Sequence, residues 1–140
     1  MNKFKIVIDT NVIVSALRSN KGASYKLLKL IGNTDKFEMN ISVNLFFEYE
    51  AISNIHTSIS PIELDELMLY LYKNSKKHNI FTIIRPFLID SKDDFIIELA
   101  VQSKSDFIVT YNKKHFMNIE QFGIKALTAK EFLEIIGELS

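Results

Sequence analysis

The stretch FKIVIDTNVIV, Phe4 to Val14, sets an apolar, β-branched run directly against one carboxylate, Asp9, and a turn-forming Thr-Asn pair before the apolar pattern resumes. Phe4 to Ile8 reads as a core strand, and Asp, Thr and Asn are the residue types that turn a chain and cap a helix, here one starting near Val12. A strand that feeds straight into a helix is the opening of an α/β fold. An isolated carboxylate at the edge of such a core costs several kcal/mol unless something pairs with it, so Asp9 needs a partner.

The totals bound what that partner can be. At 140 residues the chain suits one domain, 1–140, able to bury roughly two-thirds of its unfolded surface. With no cysteine it has neither disulfides nor thiolate metal sites, so any metal binds through oxygen or imidazole, and a reducing cytoplasm suits it. No run nears the roughly 20 apolar residues of a membrane span, and no cleavable leader is recognisable. A soluble cytoplasmic protein is expected. Net charge is zero, which argues against a protein held on nucleic acid by bulk electrostatics but leaves room for a local basic patch.

Outward from Phe4, helices and strands alternate. Tyr25, Leu28 and Ile31 space a helix over 23–31 that Gly32 stops, and Phe37, Met39 and Ile41 alternate as a strand. Leu45, Tyr49 and Ile52 carry a helix over 44–55, and Ser60 to Glu63 is a capping box that launches another through about Lys76. Ile80 to Ile84 reads as a short strand ended by Pro86. SKDDFIIELAVQSK is a helix with an acidic first turn, Asp106 to Thr110 a buried strand, and Ile124 to Leu127 a last strand before a helix capped by Thr128 and Glu131. The expected fold is α/β, a three-layer α/β/α sandwich around a mainly parallel sheet of four or five strands.

In an open parallel sheet, ligands bind beyond the carboxyl ends of the strands. Asp9 ends the first strand, Glu48 lies early in the helix after the second, and Thr110 and Asn112 end a later one. Asp94 opens the helix that leads into that later strand, so it belongs at the same rim. Two carboxylates about 4 Å apart repel by roughly 4 kcal/mol at an effective dielectric near 20. Mg²⁺ or Mn²⁺ would resolve that repulsion, since hard cations prefer oxygen ligands, and would suit hydrolysis of a phosphodiester. Each acid alone has an ordinary reading. Asp9 can be a turn or cap residue, Glu48 a solvated helix residue, and Asp93 and Asp94 partners of the helix dipole behind Ser91. Their joint placement carries the argument.

Four segments in order resemble the PIN-domain ribonucleases, specifically the small prokaryotic type that serves as toxin in type II toxin–antitoxin systems. They are VIDTNVIVSAL, ISVNLFFEYEAI, SKDDFIIELAVQSKSDFIVTYNKKHF and GIKALTAKEFLEII. The resemblance implies Asp9, Glu48 and Asp94 as carboxylates of a Mg²⁺ or Mn²⁺ site that cuts RNA. It selects Glu48, six residues after Ser42, over Glu50, and Asp94, eighteen before Asn112, over Asp93. It also implies a cognate protein antitoxin covering the acidic rim, and a homodimer. Many members have an aspartate where this chain has Asn112, a departure that removes one charge and should loosen a second metal most.

Asn112 can still offer a carbonyl or an amide to a water or phosphate. Thr10, Asn11 and Thr110 either orient the acids or serve turn chemistry. Lys113, Lys114 and His115 either meet RNA phosphates or are solvated, and Tyr111 either stacks on a base or packs. His56 and His78 have no evident partner and read as surface residues. A receiver domain would want paired acids after its first strand, and a haloacid-dehalogenase-type phosphatase a second aspartate at position 11. Thr10 and Asn11 disfavour both. The remaining alternative to a nuclease is a PIN-like module that binds RNA or protein and cuts poorly.

Overall fold

Ile6, Val7 and Ile8 are completely buried, as an unbroken apolar run requires of a strand covered on both faces. Each such side chain contributes about 1.5–3 kcal/mol by leaving water, which fixes this strand at the centre. The computed structural model describes residues 3–80 and 94–139. The elements are β1 (Phe4–Ile8), α1 (Thr10–Arg18), α2 (Ala23–Leu30), β2 (Phe37–Ser42), α3 (Val43–His56), α4 (Pro61–Lys73), β3 (Ser75–His78), α5 (Asp94–Gln102), β4 (Phe107–Val109), β5 (Lys125–Leu127) and α6 (Ala129–Ile135). Two 3₁₀ turns, Lys113–Phe116 and Ile119–Phe122, lie between β4 and β5.

The strands form one all-parallel sheet in the order β3-β2-β1-β4-β5. The chain winds outward from β1 to β3, then returns to place β4 on the other side of β1. That reversal makes β1 and β4 neighbours whose connections leave in opposite directions, and the crevice between their carboxyl ends is where such sheets take ligands. Right-handed crossovers put the helices between β1 and β3 on one face and the helix entering β4 on the other. The expected α/β/α sandwich is what forms.

Register shows how the core closes at the opposite end. Phe4 pairs with Phe37, and Ile6 with both Met39 and Phe107, so these residues share a face. Phe132 of α6 packs on that face, its ring centroid 5.3 Å from Phe37 and 5.8 Å from Phe107. Both expected capping boxes form, Ser60 with Glu63 and Thr128 with Glu131, and Ser42 caps α3 by accepting from the Leu45 N–H. Gly32, with φ +77, ends α2 against the Asn74 side chain, where a Cβ would collide.

One expected boundary is corrected. The helix read through Lys76 ends at Lys73, and Ser75 to His78 form the edge strand β3, paired Met39 to Ser75 through Ser42 to His78. Charged residues are how an edge strand discourages further pairing, and Lys76 and Lys77 look the same as a solvated helix face. The strand expected at Ile80–Ile84, together with Pro86, Ser91 and Asp93, lies outside the described residues apart from Ile80 itself.

His78 is not a bystander on that edge. Its Nε2 lies 2.7 Å from Asn40 Oδ1, and since the Asn40 amide donates to the Ile6 and Glu38 carbonyls, the histidine is the donor. Its pKa is lowered by burial first, then by Lys76 and least by Lys5, against an opposing pull from Glu38. The sign follows. Below about 6.5 the unfolded chain takes up a proton that the folded state resists, so stability declines as pH falls from that value until folded His78 is protonated too. Urea midpoints between pH 7 and 5 should show this slope, and His78→Gln should flatten it.

Candidate active site

β1 delivers Asp9 one residue past its last rung, where the Asp9 N–H still donates to the Val109 carbonyl at 2.9 Å. By backbone, Asp9 occupies the N-cap of α1, yet its side chain makes no cap hydrogen bond. Its Oδ2 instead accepts from the Thr110 hydroxyl at 2.8 Å and from the Asn11 amide at 3.3 Å. That separates the two ordinary fates of the residue: the carboxylate is aimed across the crevice toward the end of β4, not into its own helix. Asp9 is 6% exposed and Thr110 is completely buried, so these are charge-assisted bonds in a poorly solvated place.

The same few residues stitch the two strand ends together. The Asn112 N–H donates to the Thr110 hydroxyl oxygen at 3.0 Å, and the Tyr111 N–H to Asn11 Oδ1 at 3.2 Å. Thr10, buried beside Asp9, donates its hydroxyl to Glu48 Oε2. Glu48 is held there by its neighbour. Tyr49 is fully buried and its phenol donates to the Ile8 carbonyl at 2.5 Å, tying α3 to the end of β1. Burial drives the phenol's pKa well above its ordinary value, and the charges of Asp9 and Glu48 push it further. The phenol therefore stays a neutral donor with both acids near it.

These residues open into a cleft of about 600 Å³ between α1 and α3. Asp9, Thr10, Asn11, Glu48, Asn112 and His115, all singled out by sequence, line it. Arg18 and His56 line it too and were not anticipated as site residues. The available signal was helical spacing: Thr10, Val14 and Arg18 on α1, and Glu48, Ile52 and His56 on α3, step four residues at a time along one stripe each.

The other expected residues do not line this cleft, although Tyr111, Lys113 and Lys114 border a second hollow with Asn112 and His115. Asp94 is completely buried in the first turn of α5, whose chain direction puts that end toward the rim, but it does not line the cleft with Asp9 and Glu48. Lys113 reaches Glu131 Oε1 at 2.9 Å, an exposed ion pair at the start of α6. Lys114 is exposed beside it. Tyr111 is 45% exposed, its hydroxyl bonded to Ser24.

The donors available are carboxylate, amide, hydroxyl and imidazole, which suits a hard divalent cation. Among the described residues, however, no three His, Cys, Asp or Glu side chains come together closely enough to hold an ion. The chemistry of the donor set fits; the geometry supplies two acids on one cleft rather than a closed set of three. No described helix is long and apolar enough to cross a membrane. Residues 5–114 match a sequence family described as PIN domain, a nuclease-type family that generally uses divalent metals and binds RNA. No curated protein matches the chain.

Proposed function

The chain belongs to the PIN domain family, and from that premise we propose that it is a metal-dependent endoribonuclease that hydrolyses RNA phosphodiester bonds. The observation that carries this reading is Asp9, buried at the sheet's switch point, oriented by Thr110 and Asn11, and sharing a cleft with Glu48. Asp9 and Glu48, which share the cleft, would hold Mg²⁺ or Mn²⁺, and the sequence resemblance adds Asp94 as the third carboxylate. Such an ion supplies positive charge against the phosphate and makes a nearby water more acidic. The chain's own residues do the rest. Thr110 and Asn11 fix the Asp9 carboxylate, Thr10 fixes Glu48, and Asn112 presents an amide at the mouth for a phosphate oxygen or a water. His115 in the cleft and the exposed Lys114 would meet phosphates, and Tyr111 would stack on a base.

As a toxin of a type II pair the protein would act in the cytoplasm, form a homodimer and be held in check by an antitoxin covering the cleft. The sequence resemblance supports that role. Asn112 and the open two-acid geometry favour one second reading, a PIN-like module that binds RNA or protein without cutting. A panel of RNAs separates the two. The purified protein should cut at least one RNA in Mg²⁺ or Mn²⁺ and none in EDTA; RNA bound but left whole in every metal would favour the binding module.

A further inference from the structure

We propose that Arg18 holds a backbone phosphate at the far end of the cleft, so that single-stranded RNA lies along the groove between α1 and α3 and engages it at more than the cut site. This rests on the nuclease reading for the identity of the strand. Arg18 is the last residue of α1, which spans roughly 13 Å from the Asp9 end at 1.5 Å per residue. It sits at the opposite end of the same cleft from the acids. A single phosphate at Asp9 and Glu48 would not reach it; a strand would.

The side chain is exposed, yet it is tethered at the groove. Its Nε donates to the His56 carbonyl at 2.9 Å, bridging α1 to the end of α3 across the cleft. That uses one of five guanidinium donors and leaves the others for a ligand. Among the described residues no carboxylate lies within ion-pair distance of Arg18. A last-turn arginine also favours its own helix dipole, but that role asks for no bond to another helix. Arginine's planar fork suits a phosphate better than lysine's point charge. The need is physical as well: the chain has zero net charge, so no general field draws RNA in, and two carboxylates at the cut site repel the strand. A cation must hold it nearby.

The test is binding of a 5′-fluorescein single-stranded RNA dodecamer, followed by anisotropy in EDTA, where a failure to cut does not affect the reading. Arg18→Gln should weaken binding about tenfold and lower the slope of log affinity against log salt by about 0.7, one phosphate's share on a single strand. Arg18→Lys, which keeps the charge, should retain the slope. A dinucleotide, too short to span the cleft, should bind wild type and Arg18→Gln alike. Wild-type protein that binds no RNA, an unchanged slope in folded Arg18→Gln, an equal loss with the dinucleotide, or displacement by polyglutamate as readily as by RNA would each overturn the assignment. If Arg18→Gln melts early, the slope of Arg18→Lys and the dodecamer-to-dinucleotide comparison in wild type decide it. A wild-type slope no steeper for the dodecamer than for the dinucleotide overturns it as well.

Discussion

Asp9→Asn lowers RNA cleavage by about a hundred- to a thousandfold while the protein stays folded, the scale expected when one preorganised electrostatic group is taken from a reacting centre. Asparagine keeps the shape of the residue and an oxygen to accept the Thr110 hydroxyl, so the stitch between β1 and β4 survives. It is as good an N-cap as aspartate, and Asp9 does not use its side chain as a cap in any case. What the substitution removes is charge. Thermal melting and cleavage rates measured on the same preparation should therefore part company: the melting temperature changes little, because the hydrogen bond to Thr110 is kept, and the rate collapses. A parallel fall in both would mean that Asp9 is structural.

Thr110→Val costs stability and activity together. The two side chains are nearly isosteric, but valine has no hydroxyl, and Thr110 is completely buried. Losing it removes the shorter of the two bonds from Asp9 Oδ2 and leaves the Asn112 N–H without its acceptor. A hydrogen bond to a charged group is worth about 1.5–3 kcal/mol, which should appear directly as a lower urea midpoint. Cleavage should fall about ten- to a hundredfold, as when the groups that orient a metal ligand are removed. Thr110→Ser restores the hydroxyl and should recover most of both. If valine lowers the midpoint but leaves the rate alone, Thr110 only packs.

Much of this was legible because local rules and the global fold agree. FKIVI reads as a doubly covered strand and is one; the two capping boxes fall where the spacing puts them; the sandwich follows from alternation. β3 was not legible, since an edge strand gains its order from pairing with β2 and shows lysines where a core strand shows apolar residues. Arg18 and His56 were hidden for a related reason. Lining a cleft is a property of how α1 packs on α3, and neither residue differs locally from any polar residue at the end of a helix. Tyr49 was legible as core but not as the phenol that anchors α3 to Ile8. Asp94 was reached through resemblance and chain direction, and its place in the first turn of α5, completely buried, agrees with the rim but leaves it outside the cleft of Asp9 and Glu48.

The three acids therefore make the most direct test. Cleavage of one susceptible RNA would be followed in Mn²⁺ for wild type, Asp9→Asn, Glu48→Gln and Asp94→Asn, and for wild type in EDTA. A metal-dependent nuclease built on these residues cuts only as wild type and only with the ion. Cutting that persists in EDTA, or at the wild-type rate in Asp9→Asn, Glu48→Gln or Asp94→Asn, contradicts it.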